Sequence, residues 1–139
     1  MDNSTKMFKI LCVEDEADLR QDLVEVIEEE GYEVAAASNG AEGLRELVRF
    51  KPDLVISDCL MPVISGAEML RKIRTGCKDF ATVPVIFLSA HARKEQIEEG
   101  IDIGANCYIA KPVDYTVLLR TIKGLLDLHG TAVPATKVN

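Results

Sequence analysis

The sequence is short of positive charge: 16 Lys and Arg stand against 23 Asp and Glu, a formal net charge of -7 in 139 residues. Phosphate recognition relies on clustered Lys and Arg, so the balance argues against nucleic-acid binding by this domain itself. The chain also lacks any uninterrupted apolar run near the roughly 20 residues a membrane helix needs. Met1-Asp2-Asn3-Ser4-Thr5-Lys6-Met7 has none of the charged-then-apolar layout of a signal peptide, and a cytoplasmic location is expected. The four cysteines, Cys12, Cys59, Cys77 and Cys107, are 47, 18 and 30 positions apart, so there is no C-x-x-C pair and no zinc pattern. Cys12 and Cys107 lie in apolar runs and read as small buried hydrophobes, and a disulfide framework does not suit a cytosolic chain with this much core. Cys59 stands apart because it adjoins a residue with a chemical role.

What is present suits one compact domain. Hydrophobic residues make up 47% of the chain, enough for a core at this length. Five short apolar runs alternate with segments of helical period. The runs are Phe8–Val13, the weaker Tyr32–Ala37, Asp53–Ser57, Val85–Leu88 and Cys107–Ala110. Helices are expected over about Glu16–Glu30, Ala41–Phe50, Ala67–Arg74 and Arg93–Ile103, and from an Asp114 N-cap to Gly130. Residues 1–6 are expected to be disordered, and 130–139 to be a tail or the start of a linker. Charge is uneven: Glu14 to Glu33 holds ten acids and one base, Arg20, and the remainder is nearly balanced. Most of that acidic stretch reads as the solvated face of one helix. Its first residues, just past an apolar run, could hold a cation.

Strands alternating with helices imply an α/β fold, a doubly wound and mostly parallel sheet covered on both faces. In such sheets ligands sit at the carboxyl ends of strands, near a topological switch point. Glu14 and Asp15 follow the first strand, Asp58 ends the third, Ser89 follows the fourth and Lys111 the fifth. Singly, each has a plain structural explanation: helix N-terminal acids, a turn aspartate, a capping serine, a solvated lysine. Together they place three carboxylates, a hydroxyl and an ammonium on one edge. Crowded carboxylates repel, and some would be protonated unless a cation joined them. An all-oxygen cluster suits Mg²⁺, whereas transition metals would prefer His or Cys ligands. An aspartate kept ionised this way can attack phosphorus as a nucleophile. Lys111 and Ser89 can then meet the charge on the equatorial phosphoryl oxygens.

Val13-Glu14-Asp15-Glu16, Asp58-Cys59-Leu60-Met61-Pro62 with Gly66, Leu88-Ser89-Ala90 and Tyr108-Ile109-Ala110-Lys111-Pro112 together resemble the receiver domain of two-component response regulators. The resemblance covers about Met7 to His129, which sets the domain at 7–129. It implies the flavodoxin-like strand order 2-1-3-4-5 with five helices, a fold for which a receiver is itself a standing example. It implies that Asp58 is the phosphoacceptor, that Asp15 binds Mg²⁺ directly and Glu14 through water, and that the backbone carbonyl of Leu60 is a further ligand. Ser89 and Lys111 sense the phosphate, and the small Ala90 leaves it room. The Lys111–Pro112 bond is expected to be cis, which is cheap only before proline. Tyr108 is expected to turn inward as Ser89 moves toward the phosphate, a population shift biased by new charge. Its structural alternative is a half-buried strand tyrosine with its hydroxyl in solvent.

Departures from the common pattern are small. Glu14 replaces an aspartate in an outer role, and Ser89 stands where threonine is frequent. Leu60 and His91 form a rim, and an apolar Leu60 cannot orient an attacking water. His91 reads equally well as a first-turn helix residue in solvent. Three other classes compete with the receiver reading. A phosphatase-like enzyme would need a second aspartate where Leu60 stands. An FMN carrier would meet repulsion from Glu14-Asp15-Glu16. A degenerate scaffold would have lost part of the constellation. Expected partners are a sensor histidine kinase or histidine phosphotransfer protein. A homodimer or effector contact is expected on the face of the fourth helix, fifth strand and fifth helix, which would include Arg93, Lys94, Glu95, Glu98 and Arg120. The activity is that of a self-phosphorylating switch without an independent substrate.

Overall fold

The computed structural model describes residues 7–59, 61, 64–76, 78–90 and 104–128, and the backbone of 136–138. Leu60, His91, the helix expected over Arg93–Ile103 with Arg93, Lys94, Glu95 and Glu98, the expected stop at Gly130 and the segment 1–6 lie outside the described residues.

The elements run β1 (Lys9–Val13), α1 (Ala17–Glu29), β2 (Glu33–Ala37), α2 (Gly40–Phe50), β3 (Leu54–Asp58), α3 (Gly66–Gly76), a 3₁₀ turn (Lys78–Phe80), β4 (Val85–Ser89), β5 (Cys107–Ala110), α4 (Tyr115–Asp127) and β6 (Thr136–Val138). All neighbouring strands pair in parallel, in the order 2-1-3-4-5-6. The expected order 2-1-3-4-5 is present. A sixth strand, Thr136–Val138, lies within the segment read as a tail or the start of a linker. Its backbone pairs Thr136 with Cys107 and Val138 with Ile109, supplying partners to peptide groups that the outer edge of β5 would otherwise present unpaired.

β3 and β4 are buried at every residue, and β1 at all but Lys9. That is why they read as continuous apolar runs rather than as alternating ones. Alternate side chains go to opposite faces. Leu11, Val13, Val55, Phe87 and Tyr108 join α2 and α3 through Leu47, Met69, Leu70 and Ile73. Ile10, Cys12, Ile56, Ile86, Leu88 and Ile109 join α1 and α4 through Leu23, Ile27, Leu118 and Ile122. β2, at the sheet edge, is buried only at Ala37, which explains its weak sequence signal. Local chemistry sets the helix ends. Asn39 caps α2 by accepting from Glu42 N, while Glu42 reaches back to Ser38 N. Asp114 caps α4 by accepting from Thr116 N and Val117 N. The expected acidic face is α1: Asp18, Asp22, Glu25, Glu28 and Glu29 are exposed while Leu23 and Ile27 are buried.

Candidate functional site

Parallel strands deliver their carboxyl ends to one edge, and β1 and β3 are neighbours. Glu14, one residue past β1, therefore meets Asp58, the last residue of β3. Glu14, Asp15 and Asp58 each offer a carboxylate oxygen within 4.8 Å of the others. They differ in environment: Glu14 is 1% and Asp58 7% exposed, whereas Asp15 faces solvent. Glu14 Oε2 accepts from Glu16 N at 3.1 Å, and its main-chain carbonyl accepts from Arg20 at 2.8 Å. Its Oε1 is enclosed and, among the described residues, receives no well-directed hydrogen bond. It meets charge instead, with Lys111 Nζ at 3.2 Å. The same ammonium lies 3.3 Å from Asp58 Oδ2. Burial raises the Glu14 pKa to about 7, with the Asp58 charge adding to the rise and the Glu16 amide and Lys111 opposing it. Burial alone would lower the Lys111 pKa, but Asp58 and Glu14 outweigh it and hold it above its ordinary value.

β5 supplies Lys111 by ending one residue short of it. Lys111 N donates to Ser89 O at 2.8 Å, which ties the ends of β4 and β5 together. The Lys111–Pro112 bond is cis. Ser89 is buried, 5% exposed, at the end of β4. Tyr108, also 5% exposed, packs edge-on against Phe87, its register partner, with ring centroids 5.3 Å apart at 68°. Tyr108 is thus buried rather than half-buried. The loop after Asp58 is closed by Gly66: its N–H donates to Cys59 O at 2.9 Å. A Cβ at Gly66 would lie 2.6 Å from Asp58 O, so only glycine allows α3 to start this close to the acceptor loop.

Residues 10–123 match the response regulator receiver domain family. The chain belongs to that family. It is 39% identical over 122 residues to an uncharacterized transcriptional regulatory protein, YkoG, of Bacillus subtilis, covering 88% of this chain and 52% of that one. It is 35% identical over 123 residues to the transcriptional regulatory protein CseB of Streptomyces coelicolor, covering 88% of this chain and 51% of the relative. The chain thus spans about half the length of the curated relatives it matches. Among solved structures, the chemotaxis response regulator CheY4 of Vibrio cholerae aligns with a TM-score of 0.81 at 31% identity, covering 86% of this chain and 99% of that one. A CheY-like receiver domain protein from Methanospirillum hungatei aligns with a TM-score of 0.83 at 30% identity, covering 89% and 97%.

The receiver is the input module of two-component response regulators, a family of signalling switches rather than conventional enzymes. Receiver domains are phosphorylated by histidine kinases and generally bind Mg²⁺ at an acidic pocket. The donor set here fits that ion: an all-oxygen cluster of three carboxylates, one carrying an enclosed oxygen without a well-directed hydrogen bond. No described helix of the receiver is long and apolar enough to cross a membrane.

Glu14, Asp15, Asp58, Ser89 and Lys111 thus gather at one edge, Tyr108 lies within the core beneath it, and Ala90 is exposed at the rim. Sequence reasoning does not reach the surroundings. A groove of about 560 Å³ runs from Lys111, Ala90 and Pro112 to Leu19, Val113 and Tyr115, with Glu16, Asp18 and Asp22 at its rim. Its sequence signal is faint, because Leu19 looks like one more member of a core stripe. Arg20, which holds the Glu14 main chain, is legible only as the one base in an acidic run. Cys59 is legible in the sequence only as the neighbour of Asp58. Burial raises its thiol pKa to about 11, although hydrogen bonding to Tyr108 and Ser89 pulls the other way.

Proposed function

We propose that this receiver takes a phosphoryl group onto Asp58 from a phosphohistidine donor and uses the new charge to shift the packing around Ser89 and Tyr108. The observation that carries this reading is the single ammonium of Lys111 lying 3.2 Å from buried Glu14 and 3.3 Å from Asp58. An aspartate with a cation at its flank is poised as a nucleophile rather than as a structural turn residue.

An Asp58 carboxylate oxygen attacks the phosphorus. The acyl-phosphate P–O bond forms as the P–N bond of the phosphohistidine breaks, and the imidazole leaves with the electron pair and takes up a proton. Lys111 offsets charge on one phosphoryl oxygen, and the Ser89 hydroxyl donates to another. Ala90 leaves space at the rim, where Leu60 and His91 are assigned to limiting the access of hydrolytic water. Glu14, Asp15, Asp58 and the Leu60 carbonyl would hold Mg²⁺, which supplies positive charge that lets the carboxylates stay ionised together. Hydrolysis of the same acyl phosphate, again self-catalysed, resets the switch.

The groove beside Lys111 is assigned to docking of the sensor kinase or phosphotransfer protein. The face of β5 and α4, including exposed Arg120, is assigned to a second copy or an effector. The test is intact mass after incubation with Mg²⁺ and acetyl phosphate. The wild-type chain is expected to gain one phosphoryl group and Asp58→Asn none. A wild-type chain that gains nothing, or an Asp58→Asn chain that gains the same group, would overturn the assignment.

A further inference from the structure

The pairing of β6 with β5 puts a short strand beside the one that carries Tyr108. β5, α4 and β6 form one more strand–helix–strand step, which is how a parallel neighbour is reached. Cys107, Tyr108 and Ile109 are buried, so the outer edge of β5 offers a partner peptide groups rather than side chains. The directions of those groups follow from the pairing with β4. Lys111 N donates to Ser89 O, and peptide groups alternate sides along a strand. Those of Cys107 and Ile109 therefore face β4, and those of Tyr108 face β6. The register sets Tyr108 opposite Lys137. In a parallel ladder this directs the Tyr108 N–H to the Thr136 carbonyl and the Val138 N–H to the Tyr108 carbonyl. β6 is only 3 residues long. Its few hydrogen bonds stand against the cost of ordering a chain segment, so it is exchangeable where the buried strands are not.

We infer that the outer edge of β5 is an interaction edge for one extended strand, and that residues 136–138 are its resident occupant and close it to a second copy of the chain. This rests on the assignment of the β5 and α4 face to association given above and adds the element that controls it. A second copy is the partner that an open β5 edge fits. Two such edges related by a twofold axis pair antiparallel through their peptide groups, with no further side-chain chemistry. α4 exposes Arg120, Lys123 and Asp127, charges of both signs that the same axis can set against one another. With β6 in place the Tyr108 peptide group is taken and the edge is shut. When β6 leaves, the strand that carries the inward tyrosine becomes the contact strand.

The experiment compares two single prolines in the 139-residue chain. Val138→Pro removes the N–H that β6 directs at Tyr108. Lys137→Pro removes an N–H that faces away from β5, a place where an edge strand tolerates proline. Amide hydrogen exchange at Tyr108 is followed by NMR at a dilution where the chains are monomeric, and sedimentation velocity over a concentration series reads association. In wild type the Tyr108 amide is expected to exchange slowly and the chain to sediment as a monomer. Val138→Pro is expected to speed that amide about tenfold or more, with the Ile109 amide facing β4 still slow, and to bring on a concentration-dependent dimer. Lys137→Pro is expected to match wild type in both. A Tyr108 amide equally slow in Val138→Pro would overturn the closure by β6 and leave the face assignment standing. So would Lys137→Pro behaving like Val138→Pro, or wild type dimerising as strongly as Val138→Pro. A fast amide without a dimer would overturn the second copy as partner, here and in the face assignment alike. No phosphoryl donor is present, so failure of the Asp58 assignment is read by the mass measurement alone.

Discussion

The two ends of the same sheet are built on opposite electrostatic terms. At the carboxyl ends of the strands, Glu14 is buried with an oxygen that, among the described residues, lacks a well-directed hydrogen bond, and two carboxylates share one ammonium. At the amino ends, polar groups are matched to partners. Asp53 Oδ2 accepts from Lys9 N at 2.8 Å, joining β3 to β1. Arg74 at the end of α3 donates to Val83 O and Gly104 O, each at 2.7 Å, and to Asn106 Oδ1 at 3.2 Å. The same Asn106 oxygen accepts from Val85 N at 2.9 Å. Gly104, at φ +121, takes a left-handed turn against the Arg74 side chain, where a Cβ would lie 2.9 Å from Nε. A part-buried cation among carbonyl dipoles holds the starts of β4 and β5. The same fold thus keeps one end electrostatically unsettled and ready for ligands, and the other satisfied and rigid.

Exchanging charge for shape at each end should separate function from stability. Lys111→Met is expected to slow phosphoryl uptake by about 100-fold or more, the scale of losing one group that meets charge in a transition state. Its melting temperature should hardly change, because Lys111 is a partly exposed partner. Timed intact-mass measurements with acetyl phosphate would show this, and an unchanged rate would remove the reason for regarding the carboxyl end as functional. Arg74→Met should do the reverse. It leaves carbonyls and an amide without their donor and is expected to cost about 2–4 kcal/mol in denaturant unfolding, with phosphoryl uptake retained in the folded fraction.

The unsettled end also predicts a pH dependence. Glu14 titrates near 7 in the fold against 4.5 ordinarily. Between those values the folded chain holds more protons than the unfolded one, so stability falls as pH rises through the window and levels off above it. Unfolding in chelator from about pH 5 to about pH 8 should show a decline of about 1–3 kcal/mol. Glu14→Gln should flatten it. The smallest effect belongs to the satisfied end: Asp53→Ala removes one hydrogen bond to Lys9 N and should cost about 1 kcal/mol, measured by the same unfolding. A larger loss from Asp53→Ala than from Arg74→Met would mean that the β1–β3 link, not the arginine clamp, holds that end.

Much of this molecule is legible in its residues alone. The strands show because β1, β3 and β4 are buried on both faces and so carry unbroken apolar runs. The helices show because Leu23, Ile27, Leu118 and Ile122 recur at helical spacing. Strand-end positions are legible because a parallel sheet must deliver them to one edge, so order and spacing already imply the gathering of Glu14, Asp15, Asp58, Ser89 and Lys111. What is not legible depends on long-range packing. β6 escapes a sequence reading because three residues carry no periodicity, and they become a strand only where β5 offers an unpaired edge.

Connectivity and hydrophobic period are local properties of the chain, and they suffice to bring these chemical groups to the carboxyl edge. The states of those groups depend on packing. Glu14 rather than Asp15 became the buried acid, and burial, not residue type, raised its pKa to about 7. Tyr108 lies inward because Phe87 stands beside it in the register of β4 and β5. Arg74 finds its acceptors up to 32 residues away, and Cys59 packs against the cluster that holds Phe87 and Tyr108. Distances of that kind are set by how elements pack, and no spacing in the chain encodes them.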